Sequence, residues 1–229
     1  MKKPLSAEPI RFAILATDAV VFTLRDGELL VRLIQVNRPP YFVNVQGLPG
    51  GLLDPTETAE EAAQRHIGAK AGIAASKVYI EQLYTFSRPD RDPRGRVVAV
   101  AYLGLVPWER LSPSEQQDTA SCGWYPIKKA RKLAYDHDEV VAMAYSRLRS
   151  RIAYTTVLCK LMPSTFTLTE LETACEHILG TDLDKRNFRK KILKLNIIAP
   201  VKGKRTGGRF RPAQLYAFAS AKVEEVDML

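Results

Sequence analysis

The chain has 229 residues, 46% of them hydrophobic and 26% charged, which is enough for two domains, each with a core of its own. Its formal net charge of +9 points to a polyanionic partner. Cys122, Cys159 and Cys175 are too few and too far apart for a disulfide framework or a zinc site, and fit a reducing interior.

At the start, the basic residues are not followed by an apolar core of signal-peptide length. The apolar run 12–22 is interrupted by Thr17 and Asp18 and falls short of the roughly 20 residues of a bilayer span, so the expectation is a cytoplasmic protein with no membrane partner. Residues 10–24 predict a strand, Asp26-Gly27 a tight turn, and 29–36 the returning strand of a hairpin. Residues 45–51 read as a glycine-rich loop and 58–72 as a helix stopped by Gly72. Two further strands are expected at 78–86 and 97–106, flanking a polar, arginine-rich loop at 87–95. A short strand at 124–126 and a helix at 136–152 complete an α/β sandwich.

Past Met162-Pro163-Ser164 the pattern changes, dividing the chain into domains 1–150 and 151–229. Thr169-x-x-Glu172 suggests a capping box opening a helix that Gly180 ends. Thr181 or Asp182 is expected to cap a second helix running to Leu195. Strands at 197–201 and 215–218 then flank a basic loop, 202–211. Helix, short turn, helix and hairpin is the order of a winged helix-turn-helix.

From Lys185 to Arg211 there are eleven basic residues and no acidic one. Leu183, Phe188, Ile192 and Leu195 form one apolar face of the second helix, which leaves Arg186, Arg189, Lys190 and Lys194 for an outward cationic face. Such a helix suits the major groove of double-stranded DNA, with Asn187 as a further reader of base edges. Lys202, Lys204, Arg205 and Arg209 are the candidate phosphate contacts of the wing.

The segment Gly51 to Ile73 resembles the Nudix signature G-x5-E-x7-R-E-U-x-E-E-x-G-U, in which U is aliphatic. Gly51, Glu57, Arg65, Ile67, Gly72 and Ile73 match it, whereas His66, Ala69 and Lys70 stand where the signature has glutamates. In an α-helix those three positions share a face, and carboxylates there would hold Mg²⁺ and help activate water against a diphosphate. Lacking them, the chain is expected to have no catalytic residues and no metal. Glu61 is expected to pair with Arg65 across one helical turn. His66 is expected on the helix surface, and His137 to cap or pack at a helix start.

A degenerate Nudix domain followed by a basic winged helix resembles the NrtR regulators of NAD metabolism. The run from Tyr84-Thr85-Phe86 through Pro89-Asp90-Arg91-Asp92-Pro93-Arg94-Gly95-Arg96 is similar to a segment those proteins share with ADP-ribose pyrophosphatases. The resemblance implies an α/β (α+β) Nudix-type sandwich joined to a small winged helix. It also implies a homodimeric repressor of NAD synthesis or salvage genes that binds operator DNA and takes ADP-ribose or a related NAD derivative as effector. Candidate ligand residues are Arg38, Arg88, Arg91, Arg94 and Arg96 for the diphosphate and Asp90 and Asp92 for ribose hydroxyls. Tyr41, Phe42 or Phe86 would serve the adenine, and Gly50, Gly51 and Glu57 the signature loop. Two other readings stay open: an active ADP-ribose-type hydrolase with an accessory nucleic-acid-binding domain, and a DNA-binding protein whose Nudix half only dimerises.

Overall fold

A computed structural model describes residues 12–205 and 213–228. Strand β1 (Ile14–Arg25) alternates, sending Val20, Phe22 and Leu24 into one hydrophobic layer and Ala19 and Val21 into the opposite one. Asp26 and Gly27 both take positive φ, 51° and 81°, as a tight hairpin requires. The chain returns as β2 (Glu28–Arg38). Next come β3 (Phe42–Gly47) and β4 (Gly50–Leu52), so most of the expected glycine-rich loop is strand, bent at Leu48-Pro49.

Thr58 caps helix α1 (Ala59–His66) in a capping box with Glu61. The helix does not stay α-helical to Gly72. Residues Ile67–Ala71 form a π-helical turn, closed by Gly72 at φ 69°. Beneath that turn lies Arg32, 1% exposed. It donates to Ala71 O at 3.0 Å, Gln117 O at 3.2 Å and Cys122 Sγ at 3.1 Å, and its guanidinium stacks 5.3 Å from the Trp124 ring centroid.

Strands β5 (Tyr79–Phe86) and β6 (Val97–Leu105) follow, then a short α2 (Pro113–Gln116) and β7 (Cys122–Pro126). The sheet runs β3-β2-β1-β6-β5, with β4 added to β1 and β7 to β2, and its β1–β6 pairing is parallel. The layer under Ala19 and Val21 is closed by Ile67 and Ala71, and the other by α3 (His137–Tyr154) through Val140, Val141, Ala144 and Leu148.

The C-terminal part holds α4 (Leu168–Leu179), α5 (Lys185–Lys194), β8 (Ile198–Arg205) and β9 (Ala213–Phe218). Both helix starts differ from expectation. The capping box is Thr167-x-x-Glu170, two residues earlier, and Asp184 caps α5 by accepting from Asn187 N at 2.7 Å. Lys202, Lys204 and Arg205 belong to strand β8 rather than to a loop, while Arg209 and the rest of the expected wing tip lie outside the described residues. Phe166 exchanges backbone hydrogen bonds with Tyr216 at 2.9 and 2.7 Å, tying the start of α4 to the wing.

Leu158, Leu161, Met162, Phe166, Ile178, Phe188 and Ile192 share one buried cluster with Val20, Leu33 and Leu148. The junction at Met162 is therefore packed core rather than a solvated linker. No described helix is long and apolar enough to cross a membrane.

Candidate ligand cleft and nucleic-acid interface

Where β1 meets β4, the end of β2, the signature helix and the loop before β6 enclose a cleft of about 580 Å³. Asp18, Arg91 and His137 line it on one side and His66, Ala69 and Lys70 on another, with Arg38, Arg94 and Tyr135 around them. The three degenerate positions thus face one cavity despite the π turn. Asp18 is the one acidic residue in strand β1, which is the signal that marks it in the sequence.

Arg91 is buried and holds two carboxylates. It donates to Asp136 Oδ2 and Oδ1 at 2.9 and 2.7 Å and to Asp18 Oδ2 at 2.9 Å. Burial by itself would raise the Asp18 carboxyl, but His137 and Arg91 outweigh it and hold it below its ordinary value of 3.8. The Leu48 amide donates to His137 Nδ1 at 2.9 Å, so Nε2 carries the ring hydrogen and faces Asp18 Oδ1 at 3.4 Å. Asp18, Asp136 and His137 form a cluster of metal-ligating type, yet a guanidinium already occupies its centre of charge.

The wall beside Asp18 is built on glycine, Gly50 being its partner across the β1–β4 pair. A Cβ at Gly50 would collide with Asp18 and the Thr17 carbonyl, and one at Gly51 with the His66 ring. That close approach lets Lys70 reach over the strand and donate to the Gly50 carbonyl. Burial, then the neighbouring charge of Arg38, lowers the Lys70 ammonium pKa. His66 is 4% exposed rather than on the surface, with Nε2 3.2 Å from Leu52 O. Burial, followed by the Lys70 charge, lowers its pKa.

The other candidates are spread differently. Arg38, Gly50, Gly51, Asp92 and Arg94 line the cleft. Asp92 and Arg94 face each other at 2.7 Å, and the Arg94 guanidinium lies 5.5 Å from the Tyr135 ring centroid. Phe42 packs on Tyr135, ring centroids 4.5 Å apart, at the edge of the cavity. Phe86 is buried in the core against Tyr84. Arg88 pairs with Asp90 and Glu139, and Arg96 donates to Ser87 O at 2.6 Å. Glu57 is bound by Arg65 and by the Asp54 amide, which hold it at about 2. Arg65 pairs with Glu57 and Asp54, while Glu61 serves the Thr58 cap, so the expected Glu61–Arg65 pair does not form. Asp18, Tyr135 and Asp136 are not among the ligand residues expected from the sequence.

On α5, Phe188 and Ile192 are buried, and Arg186, Asn187, Lys190 and Lys194 are exposed on the outward side, as is Lys202 on β8. Arg189 turns instead toward α4, donating to Thr169 Oγ1 at 2.8 Å and lying 3.5 Å from Glu172, which is 3% exposed. A patterned cationic helix beside a two-stranded wing is a nucleic-acid-binding arrangement.

The fold and its two sites define a Nudix domain joined to a winged-helix DNA-binding unit. The NUDIX domain model matches residues 15–144, and the NrtR DNA-binding winged helix domain model matches residues 158–218. Over 210 residues the chain is 33% identical to the ADPR responsive transcriptional repressor NtrR of Acinetobacter baylyi, covering 90% of this chain and 82% of that protein. Shewanella oneidensis NrtR in complex with a 27mer DNA superimposes with a TM-score of 0.78 at 32% identity, covering 89% of this chain and 93% of that one. The NUDIX domain of the same Shewanella protein, complexed with ADP ribose, gives a TM-score of 0.51 at 32% identity over 62% of this chain and 94% of that one. This chain belongs to the NrtR family of Nudix-fold regulators.

Proposed function

We propose that the chain is a transcriptional repressor that binds operator DNA through α5 and the wing and is released by ADP-ribose bound in the cleft. The expected boundary at 150/151 falls inside α3; the Nudix part before the end of α3 is the sensor and the winged helix after it the reader, acting as a homodimer on genes of NAD synthesis or salvage, as the family implies. The observation that carries this reading is the cleft's inverted charge. Nudix hydrolases need a divalent cation, and the residues here do not fit one. Positions 66, 69 and 70 offer an imidazole, a methyl group and an ammonium, and Asp18 and Asp136 are already paired with Arg91. A cleft of this kind binds a diphosphate ligand without the means to cleave it.

The test is calorimetry with ADP-ribose, NAD and ATP, alongside a magnesium-dependent turnover assay on ADP-ribose. ADP-ribose should bind, and product should form far more slowly than about 1 s⁻¹, the low end of ordinary enzyme turnover. Turnover at or above that rate would establish the hydrolase reading instead.

A further inference from the structure

We propose that Lys70 takes the place of the divalent cation that Nudix hydrolases use: its ammonium, with the Arg38 guanidinium, meets the diphosphate of the effector directly, so that ligand sensing needs no magnesium. This rests on the cleft binding a nucleoside diphosphate such as ADP-ribose.

The argument is one of sign and position. Lys70 occupies a signature position where a glutamate would bind the metal that in turn binds phosphate oxygens. Replacing that carboxylate by an ammonium removes the metal's ligand and supplies the positive charge in the same step. The side chain lines the cleft beside Arg38 and Arg94, anchored to the Gly50 carbonyl in the space that the absent side chain of Gly51 leaves free.

Charge pairing points the same way. The cleft's carboxylates are already committed, Asp18 to Arg91 and Asp92 to Arg94. Among the described residues Lys70 and Arg38 form no ion pair with a carboxylate. Each phosphoryl group of a diphosphate ester carries a negative charge at neutral pH, and these two side chains are the cations left to match them. Mutual repulsion of Arg38 and Lys70 at a half-buried site is relieved by an anion and would be aggravated by a metal cation.

The experiment is calorimetric titration of the full chain with ADP-ribose, once in excess EDTA and once in excess Mg²⁺, for the wild type, K70R, K70Q and K70E. Thermal unfolding confirms that each variant is folded. Wild-type affinity should agree between the two buffers within about twofold. K70Q should lose at least about tenfold in both, the scale of one charged hydrogen bond. K70R should stay near wild type, and K70E should fail to bind in EDTA. A wild type that binds only with Mg²⁺, or a folded K70Q that binds like wild type, overturns the inference while leaving the cleft a ligand site. A wild type that binds ADP-ribose in neither buffer overturns the functional reading as well.

Discussion

Arg91 grips Asp136 through two parallel hydrogen bonds of 2.9 and 2.7 Å, both side chains being buried. Asp136 is the N-cap residue of α3, so the cleft is tied to the start of an 18-residue helix about 27 Å long. At the far end of α3 the C-terminal segment pairs back: Met228 N donates to Ala153 O and Val226 N to Tyr154 O, each at 2.9 Å. Lys191 of α5 reaches Asp227 in that segment at 3.1 Å. A continuous path of helix and hydrogen bonds thus runs from the cleft to α5.

Removing the Arg91 guanidinium strands two buried carboxylates. R91M should lose about 3–5 kcal/mol of folding stability, measured by urea unfolding near neutral pH. The acid-side pH dependence should also weaken. In the wild type the Asp18 pKa is lowered on folding, so its stabilisation is complete above the unfolded value near 3.8 and is lost only as pH falls below that. In R91M the burial of Asp18 is opposed by His137 alone, so less of this stabilisation remains to be lost on acidification. A loss under about 1 kcal/mol would mean that the network adds little.

His177 of α4 bonds through Nδ1 to the Gly27 carbonyl at the tip of the β1–β2 hairpin, a direct polar link between the two parts of the chain. H177A should leave ADP-ribose affinity and DNA affinity, each measured alone, close to wild type. The energetic coupling between them should fall by about 0.5–2 kcal/mol. Unchanged coupling would assign the communication to the packed core and α3 alone.

Arg189 and Lys190 are neighbours in sequence with different work to do. K190A should weaken binding to all duplexes and reduce the slope of log K against log salt by about 0.9, the effect of one lost phosphate contact. R189A should leave that slope nearly intact, lower affinity through a misplaced helix, and lower stability by about 1–3 kcal/mol, discounted because its side chain is 38% exposed. E172Q should reproduce the R189A pattern. A K190A-like salt slope in R189A would place Arg189 on the DNA.

Features set by neighbours in the chain were legible beforehand. Asp26-Gly27 marks the hairpin, Gly72 and Gly180 stop their helices at φ 69° and 72°, and six signature residues at fixed spacing identify the loop and helix. Features set by distant partners were not. The short strands β3 and β4 gain their hydrogen bonds from β2 and β1, and local glycine content hides them. Thr169-x-x-Glu172 has the same spacing as the true capping box; what separates them is that Glu172 is buried against Arg189, a contact across two helices. His66 looks like a surface residue until Leu52 and Gly51 close over it. The arginine-rich loop showed its composition but not its division of labour, because Arg91 finds its partners on β1 and at the start of α3.

The most direct test is a fluorescence titration of a duplex that this protein has itself selected from a randomised pool, at fixed salt, with and without saturating ADP-ribose. The ligand must favour an arrangement in which the recognition helices no longer dock together. DNA affinity should therefore fall by roughly 5–150-fold when ADP-ribose is present, and the DNA should weaken ADP-ribose binding by the same factor. DNA affinity that stays constant while calorimetry shows ADP-ribose bound would contradict the account.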